Sequence, residues 1–93
     1  MNIQKLINDR KTTIVDVRTE EEFLEGNVQG SINIPLPEVV DRVEELKQMQ
    51  PLVLCCLSGV RSGKAISYLQ AQGCGKVYNG GGWEEVFAQK VKK

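Results

Sequence analysis

Apolar positions along the chain change period several times, and each change marks an element. Thr12-Thr13-Ile14-Val15-Asp16-Val17 is β-branched and apolar and predicts a buried strand. Thr19-Glu20-Glu21-Glu22 follows as a capping box, with Thr19 as N-cap and Glu22 at the third helical position. The short helix it starts is expected to turn Phe23 and Leu24 inward and to stop at Gly26. Ser31-Ile32-Asn33-Ile34 predicts a second strand, closed by Pro35 and Pro37. Over residues 38–48, Val39, Val40, Val43 and Leu46 recur at helical spacing with charged residues between them. Pro51 then introduces Leu52-Val53-Leu54-Cys55, a continuous apolar run of the kind buried on both faces of a sheet. Residues 62–72 read as an amphipathic helix using Ala65, Ile66 and Leu69, ended by Gly73. Lys76-Val77-Tyr78 predicts a last strand, Gly80-Gly81-Gly82 a turn, and residues 83–91 a terminal helix. Ahead of all these, Ile3, Leu6 and Ile7 fit a short amphipathic N-terminal helix.

Strands alternating with helices predict an α/β fold: an open parallel sheet, joined by right-handed crossovers, with helices on both faces. Ligands bind such sheets beyond the carboxyl ends of the strands. The length of 93 residues and the absence of a linker, repeat or low-complexity tract predict a single domain over residues 1–93.

Charge and composition remove several classes. Lys plus Arg and Asp plus Glu both total 12, so no net charge draws the chain to nucleic acid or to an anionic membrane. No stretch approaches the roughly 18 apolar residues of a membrane span. The N-terminus lacks a basic region followed by a long apolar one, so a cytoplasmic location is expected. Lys90-Val91-Lys92-Lys93 reads as a solvated basic end, and a monomer is the default state. Three cysteines, Cys55, Cys56 and Cys74, make an odd count without histidine or a Cys-x-x-Cys pair. That pattern predicts reduced thiols rather than a disulfide framework or a zinc site, and no metal or organic cofactor is expected. Gly80-Gly81-Gly82 lacks the phosphate-loop pattern and is expected to let the turn pass close to the loop after Cys56.

Candidate chemistry concentrates in Cys56-Leu57-Ser58-Gly59-Val60-Arg61-Ser62. A cysteine at the end of a buried strand, then a tight loop, then a helix start, aims several backbone N–H groups at one sulfur. Such a cradle makes a reactive thiolate without a histidine. Ionisation alone gains little: lowering a thiol pKa from about 8.5 to about 6.5 raises the thiolate fraction at pH 7 about 25-fold. Lower intrinsic nucleophilicity cancels about eightfold of this, leaving around threefold. The cradle must therefore also orient an anionic donor and make the thiolate a better leaving group. Cys56 is the candidate nucleophile and Leu57, Ser58, Gly59, Val60, Arg61 and Ser62 its binding loop, with Arg61 supplying a donor-positioning charge. Ser58 has two open roles, donating its hydroxyl to bound sulfur or satisfying the loop backbone.

The other candidates have plainer readings. Cys55 is expected in the core. Cys74, in a turn after Gly73, reads as incidental, with a resolving disulfide to Cys56 left open. Asp16 and Arg18 fit a hydrogen-bonded loop anchor better than a pocket lining. Glu20, Glu21 and Glu22 complement the dipole at a helix start. Trp83 reads as core or pocket wall.

Three segments resemble the motifs of rhodanese-like domains. They are Asp16-Val17-Arg18-Thr19-Glu20-Glu21-Glu22-Phe23 with Gly26-Asn27-Val28-Gln29-Gly30-Ser31-Ile32-Asn33-Ile34-Pro35, then Cys56 to Ser62, then Val77-Tyr78-Asn79-Gly80-Gly81-Gly82-Trp83. The resemblance implies a rhodanese-like fold and sulfur transfer through a Cys56 persulfide. A donor such as thiosulfate, polysulfide or a persulfide would supply the sulfur, and a thiol, small or protein-borne, or cyanide would accept it. Asn27 stands where many relatives have His, at a position that reads as structural. Leu57 stands where many have a cation, which favours an apolar or protein-borne donor over thiosulfate; Arg61 and Lys64 keep some positive charge nearby. Two other readings are a non-catalytic binding module of the same fold and a small phosphatase or arsenate reductase. Those phosphate and arsenate enzymes place one residue more between Cys and Arg than the four here, Leu57, Ser58, Gly59 and Val60. Retention of the cysteine and the Gly-x-Arg loop argues against the module, because a scaffold needs no exposed thiol.

Overall fold

Five residues in a row, Leu52–Cys56 (β3), are all buried and form a central strand. The computed structural model describes residues 2–90, so Met1 and residues 91–93, with the end of the predicted last helix and most of the basic tail, lie outside the described residues. Thr13–Asp16 (β1) pairs with β3 on one side and Ile32–Asn33 (β2) on the other, while Val77–Gly82 (β4) closes the far edge of β3. All pairings are parallel and the order is β2-β1-β3-β4.

Strand pleating divides the core between the two faces. Leu52, Leu54 and Cys56 join Val15, Val17 and Val77 in one cluster, which Val39, Val43, Leu46, Ala65 and Leu69 cover. Those covering residues come from Leu36–Val39 (α3), Val43–Gln48 (α4) and Val60–Ala71 (α5). Val53 and Cys55 point the other way, with Ile14, toward Ile7 of Ile3–Ile7 (α1) and Val86 of Trp83–Gln89 (α6). The α/β sheet with helices on both faces is therefore as the alternation predicts. Glu20–Glu25 (α2) lies after β1, capped by Thr19 as expected.

Four local expectations need correction. Leu24 is 74% exposed, because α2 is held by polar contacts: Arg18 donates to the carbonyls of Glu22 and Gly26. The 38–48 helix begins earlier, at Leu36, since a first helical turn tolerates Pro37, and it is split by a 3₁₀ turn, Val40–Arg42. That tighter turn points Val39 and Val43 inward and leaves Val40 exposed. The helix expected over 62–72 starts at Val60, bringing Arg61 and Ser62 into its first turn. Gly80-Gly81-Gly82 is not a turn but the end of β4. Leu54 faces Asn79 and Cys55 faces Gly81, so Gly80 is the extra residue of a bulge.

Candidate active site

Cys56 is the last residue of β3, at the carboxyl end of the sheet, and the chain must reverse at once to begin α5. Gly59 makes that reversal with φ of 100°, a left-handed conformation in which a Cβ would also lie 3.3 Å from the Gly81 Cα. The reversal brings the Gly59 N–H to 3.0 Å and the Ser62 N–H to 3.5 Å from the Cys56 sulfur. The Ser62 hydroxyl lies 3.5 Å from that sulfur. These groups at the start of α5 face the sulfur, as the loop pattern predicts for an anion cradle.

β4 braces the loop from behind. Ser62 Oγ donates to Asn79 Oδ1 at 2.8 Å, and the same oxygen accepts the Gly81 N–H at 2.9 Å. Asn79 Nδ2 donates to the Gly59 carbonyl at 3.0 Å. A Cys56 thiolate therefore competes with Asn79 for the single Ser62 hydroxyl proton. Gly82 permits the close approach of strand and loop, since a Cβ there would meet the Leu57 carbonyl oxygen at 2.7 Å.

The three thiols sit in unlike surroundings. Burial works to raise the Cys56 pKa, but hydrogen bonds from the Ser62 side chain and from the N–H groups of Ser62, Ser58 and Gly59 outweigh it, and the net shift is downward. Desolvation, with the Asp16 carboxylate adding to it, pushes Cys55 up to about 12. Burial likewise raises Cys74. Cys74 is buried in the same apolar cluster as Cys56, and all three cysteines are free thiols.

Arg61 reaches the site but is engaged. Its two terminal nitrogens donate to the Glu22 carboxylate at 2.6 and 2.8 Å. Glu22 also accepts the Thr19 N–H at 3.0 Å, completing the capping box. The Arg61 hydrogen bond first, and the Thr19 N–H next, hold the Glu22 pKa down at about 2. Leu57, Ser58 and Val60 are exposed on the rim of the loop. The expected cradle is thus gathered around one sulfur, except that the Leu57 and Val60 side chains face outward and Arg61 pairs with a carboxylate.

Asp16 and Arg18 form the loop anchor that their positions suggest. Arg18 Nη2 lies 2.7 Å from Asp16 Oδ2 within the protein, and its guanidinium stacks 4.8 Å from the Trp83 ring centre. Asn33 Nδ2 donates to the carbonyls of Asp16 and Arg18. Asn27 donates to the Phe23 carbonyl at 2.8 Å, closing the end of α2. Two contributors escaped the sequence reading: Asn79, to which its Gly-rich segment assigned no role, and Glu22 as the partner of Arg61. Among the described residues, no three His, Cys, Asp or Glu side chains gather as metal ligands. No described helix is long and apolar enough to cross a membrane.

Comparison with known proteins points the same way as the geometry. The rhodanese-like domain family matches residues 2–89. The chain is 37% identical over 83 residues to the uncharacterized protein YqhL of Bacillus subtilis, covering 89% of this chain and 66% of that protein. It is 36% identical over 80 residues to thiosulfate sulfurtransferase PspE of Escherichia coli, covering 84% of this chain and 77% of that one. A solved structure described as a rhodanese with anions from E. coli superposes with a TM-score of 0.72 at 34% identity, covering 80% of this chain and 89% of the other. The chain spans just under two-thirds of the length of the Bacillus relative.

Proposed function

The chain belongs to the rhodanese-like domain family, and from that premise we propose that it transfers sulfane sulfur through a persulfide on Cys56. The observation that carries the reading is the Cys56 sulfur at the end of β3, with the Gly59 and Ser62 N–H groups at 3.0 and 3.5 Å. In the first half-reaction the thiolate attacks the outer sulfur of a donor. A bond forms between that sulfur and Cys56, the donor's own bond to it breaks, and the donor remainder leaves with the electron pair. In the second, an acceptor thiolate or cyanide attacks the outer sulfur and the Cys56 thiolate departs. The cradle serves both halves, because stabilising the thiolate populates the nucleophile and improves the leaving group. The backbone donors and Ser62 solvate negative charge on sulfur at each stage, with no need for a general base.

Intact-protein mass spectrometry after brief exposure to thiosulfate, and separately to polysulfide, tests this with Cys56→Ser alongside. One added sulfur is expected, removable by cyanide or a thiol and absent from the variant. No adduct on a folded, reduced protein from either donor would favour a binding module instead.

A further inference from the structure

The cation carried by the Cys56 loop, Arg61, is already paired. Arg61 sits in the first turn of α5 and its fork is closed on both oxygens of Glu22. Glu20 and Glu21, exposed in the same turn of α2, add negative charge beside that pair. Arg18, the other nearby guanidinium, is buried on Asp16. Leu57 and Val60, the side chains that project from the loop, are 61% and 64% exposed and apolar. Lys64 is exposed, a turn further along α5.

We propose that Glu22 is a specificity-determining residue. By pairing with Arg61 beside an apolar rim, it disfavours dianionic sulfur donors and suits the site to an organic persulfide, R–S–SH, whose carbon-bearing end faces Leu57 and Val60. The proposal rests on the sulfurtransferase reading and narrows its donor. With thiosulfate, a Cys56 thiolate and a dianion must meet, and a sulfite dianion must leave beside a persulfide anion: Cys–S⁻ plus S–SO₃²⁻ gives Cys–S–S⁻ plus SO₃²⁻. Three negative charges converge where the guanidinium is already neutralised. An organic persulfide brings no more than one charge of its own. In its neutral form, Cys–S⁻ attacks the outer sulfur of R–S–SH, the R–S–S bond breaks, and R–S⁻ leaves, giving Cys–S–SH. The total charge stays at minus one, and the R group meets apolar side chains rather than a cation it does not need.

Glu22 acts through Arg61, so the test must separate charge from structure. Glu22→Gln removes the carboxylate, while Gln at the third helical position still accepts the Thr19 N–H of the capping box. Leu57→Arg adds a cation at an exposed position and decides the question should Glu22→Gln fail to fold. Steady-state kinetics with one thiol acceptor would compare thiosulfate, tert-butyl hydropersulfide and a persulfidated peptide with Leu flanking its Cys. Wild type is expected to show the higher kcat/KM with the organic donors. Each variant is expected to lower the KM for thiosulfate roughly tenfold, an effect that added salt erodes. A merely structural role for Glu22 would not produce a salt-sensitive change in KM confined to the dianion. A faster peptide than alkyl donor would mark a protein-borne source, and the reverse a small molecule; both support the proposal. Equal or better use of thiosulfate by wild type, or no change in the donor ratio in either variant, would overturn it while leaving the persulfide carrier intact. Failure of every donor to charge Cys56 would remove the sulfurtransferase reading itself.

Discussion

At the scale of single residues, the three cysteines show how far position outweighs residue type. Cys55 and Cys56 are neighbours in β3 and both buried, yet strand alternation sends Cys55 to the α1 and α6 side, beside Asp16, and Cys56 toward the donors of α5. Their pKa values move in opposite directions as a result. Limited iodoacetamide treatment near neutral pH should therefore label Cys56 first, with Cys55 and Cys74 labelled only after unfolding; peptide mapping checks the order. Ser62 gives the largest single hydrogen-bond contribution to the lowered Cys56 pKa through its side chain. Ser62→Ala removes that hydroxyl and keeps the N–H, so the alkylation rate against pH should shift to higher pH. An unmoved curve would assign the low pKa to the backbone alone. The fold should survive this change, because Asn79 Oδ1 retains the Gly81 N–H.

At the scale of elements, the decisive feature is how α5 begins. Gly59 needs its left-handed φ, and a Cβ there would press on the Gly81 Cα at 3.3 Å. Gly59→Ala should cost about 1–3 kcal/mol in urea unfolding and should also suppress Cys56 persulfide formation, since the N–H nearest the sulfur moves with it. Loss of stability with full sulfur loading would show that the loop tolerates a displaced donor. The sequence made this junction readable because its parts are local: an apolar run, a cysteine, a glycine and a helix follow one another. The Thr19–Glu22 capping box was readable for the same reason, as were the strand–helix alternation and the placement of Cys56 at a strand end. What stayed hidden depends on tertiary contacts. Three glycines read as a turn, but here they let β4 run on against Val53, Val86 and the Leu57 carbonyl. Asn79 looks like any polar strand residue until the parallel register sets it opposite Leu54, on the α5 side. Leu24 and Val40 obeyed a helical period that the polar docking of α2 and the 3₁₀ turn then broke.

At the scale of the whole molecule, sheet order explains why Glu22 and Arg61 meet although 39 residues separate them. β1 and β3 are adjacent and parallel, so α2 and α5, which follow them, both begin at the same edge of the sheet. Their ion pair joins the two helix starts beside the Cys56 loop, which ties acid stability to the local geometry. The Glu22 pKa falls from 4.5 to about 2 on folding. A depressed carboxylate contributes stability that is fully present above the unfolded value and is lost as pH falls through the folded one. The pair should therefore hold unchanged from pH 7 to about 5 and release between pH 4.5 and about 2. Both side chains are nearly one-third exposed, at 31% and 29%, so solvent screening limits the effect. A loss of roughly 1 kcal/mol over that window is the expected scale. Urea unfolding of wild type and Glu22→Gln across this range should show curves that converge as pH drops, because the variant has no carboxylate to protonate. Parallel curves would mean that protonating Glu22 leaves folding unchanged and that the pair, though bidentate, adds nothing to it.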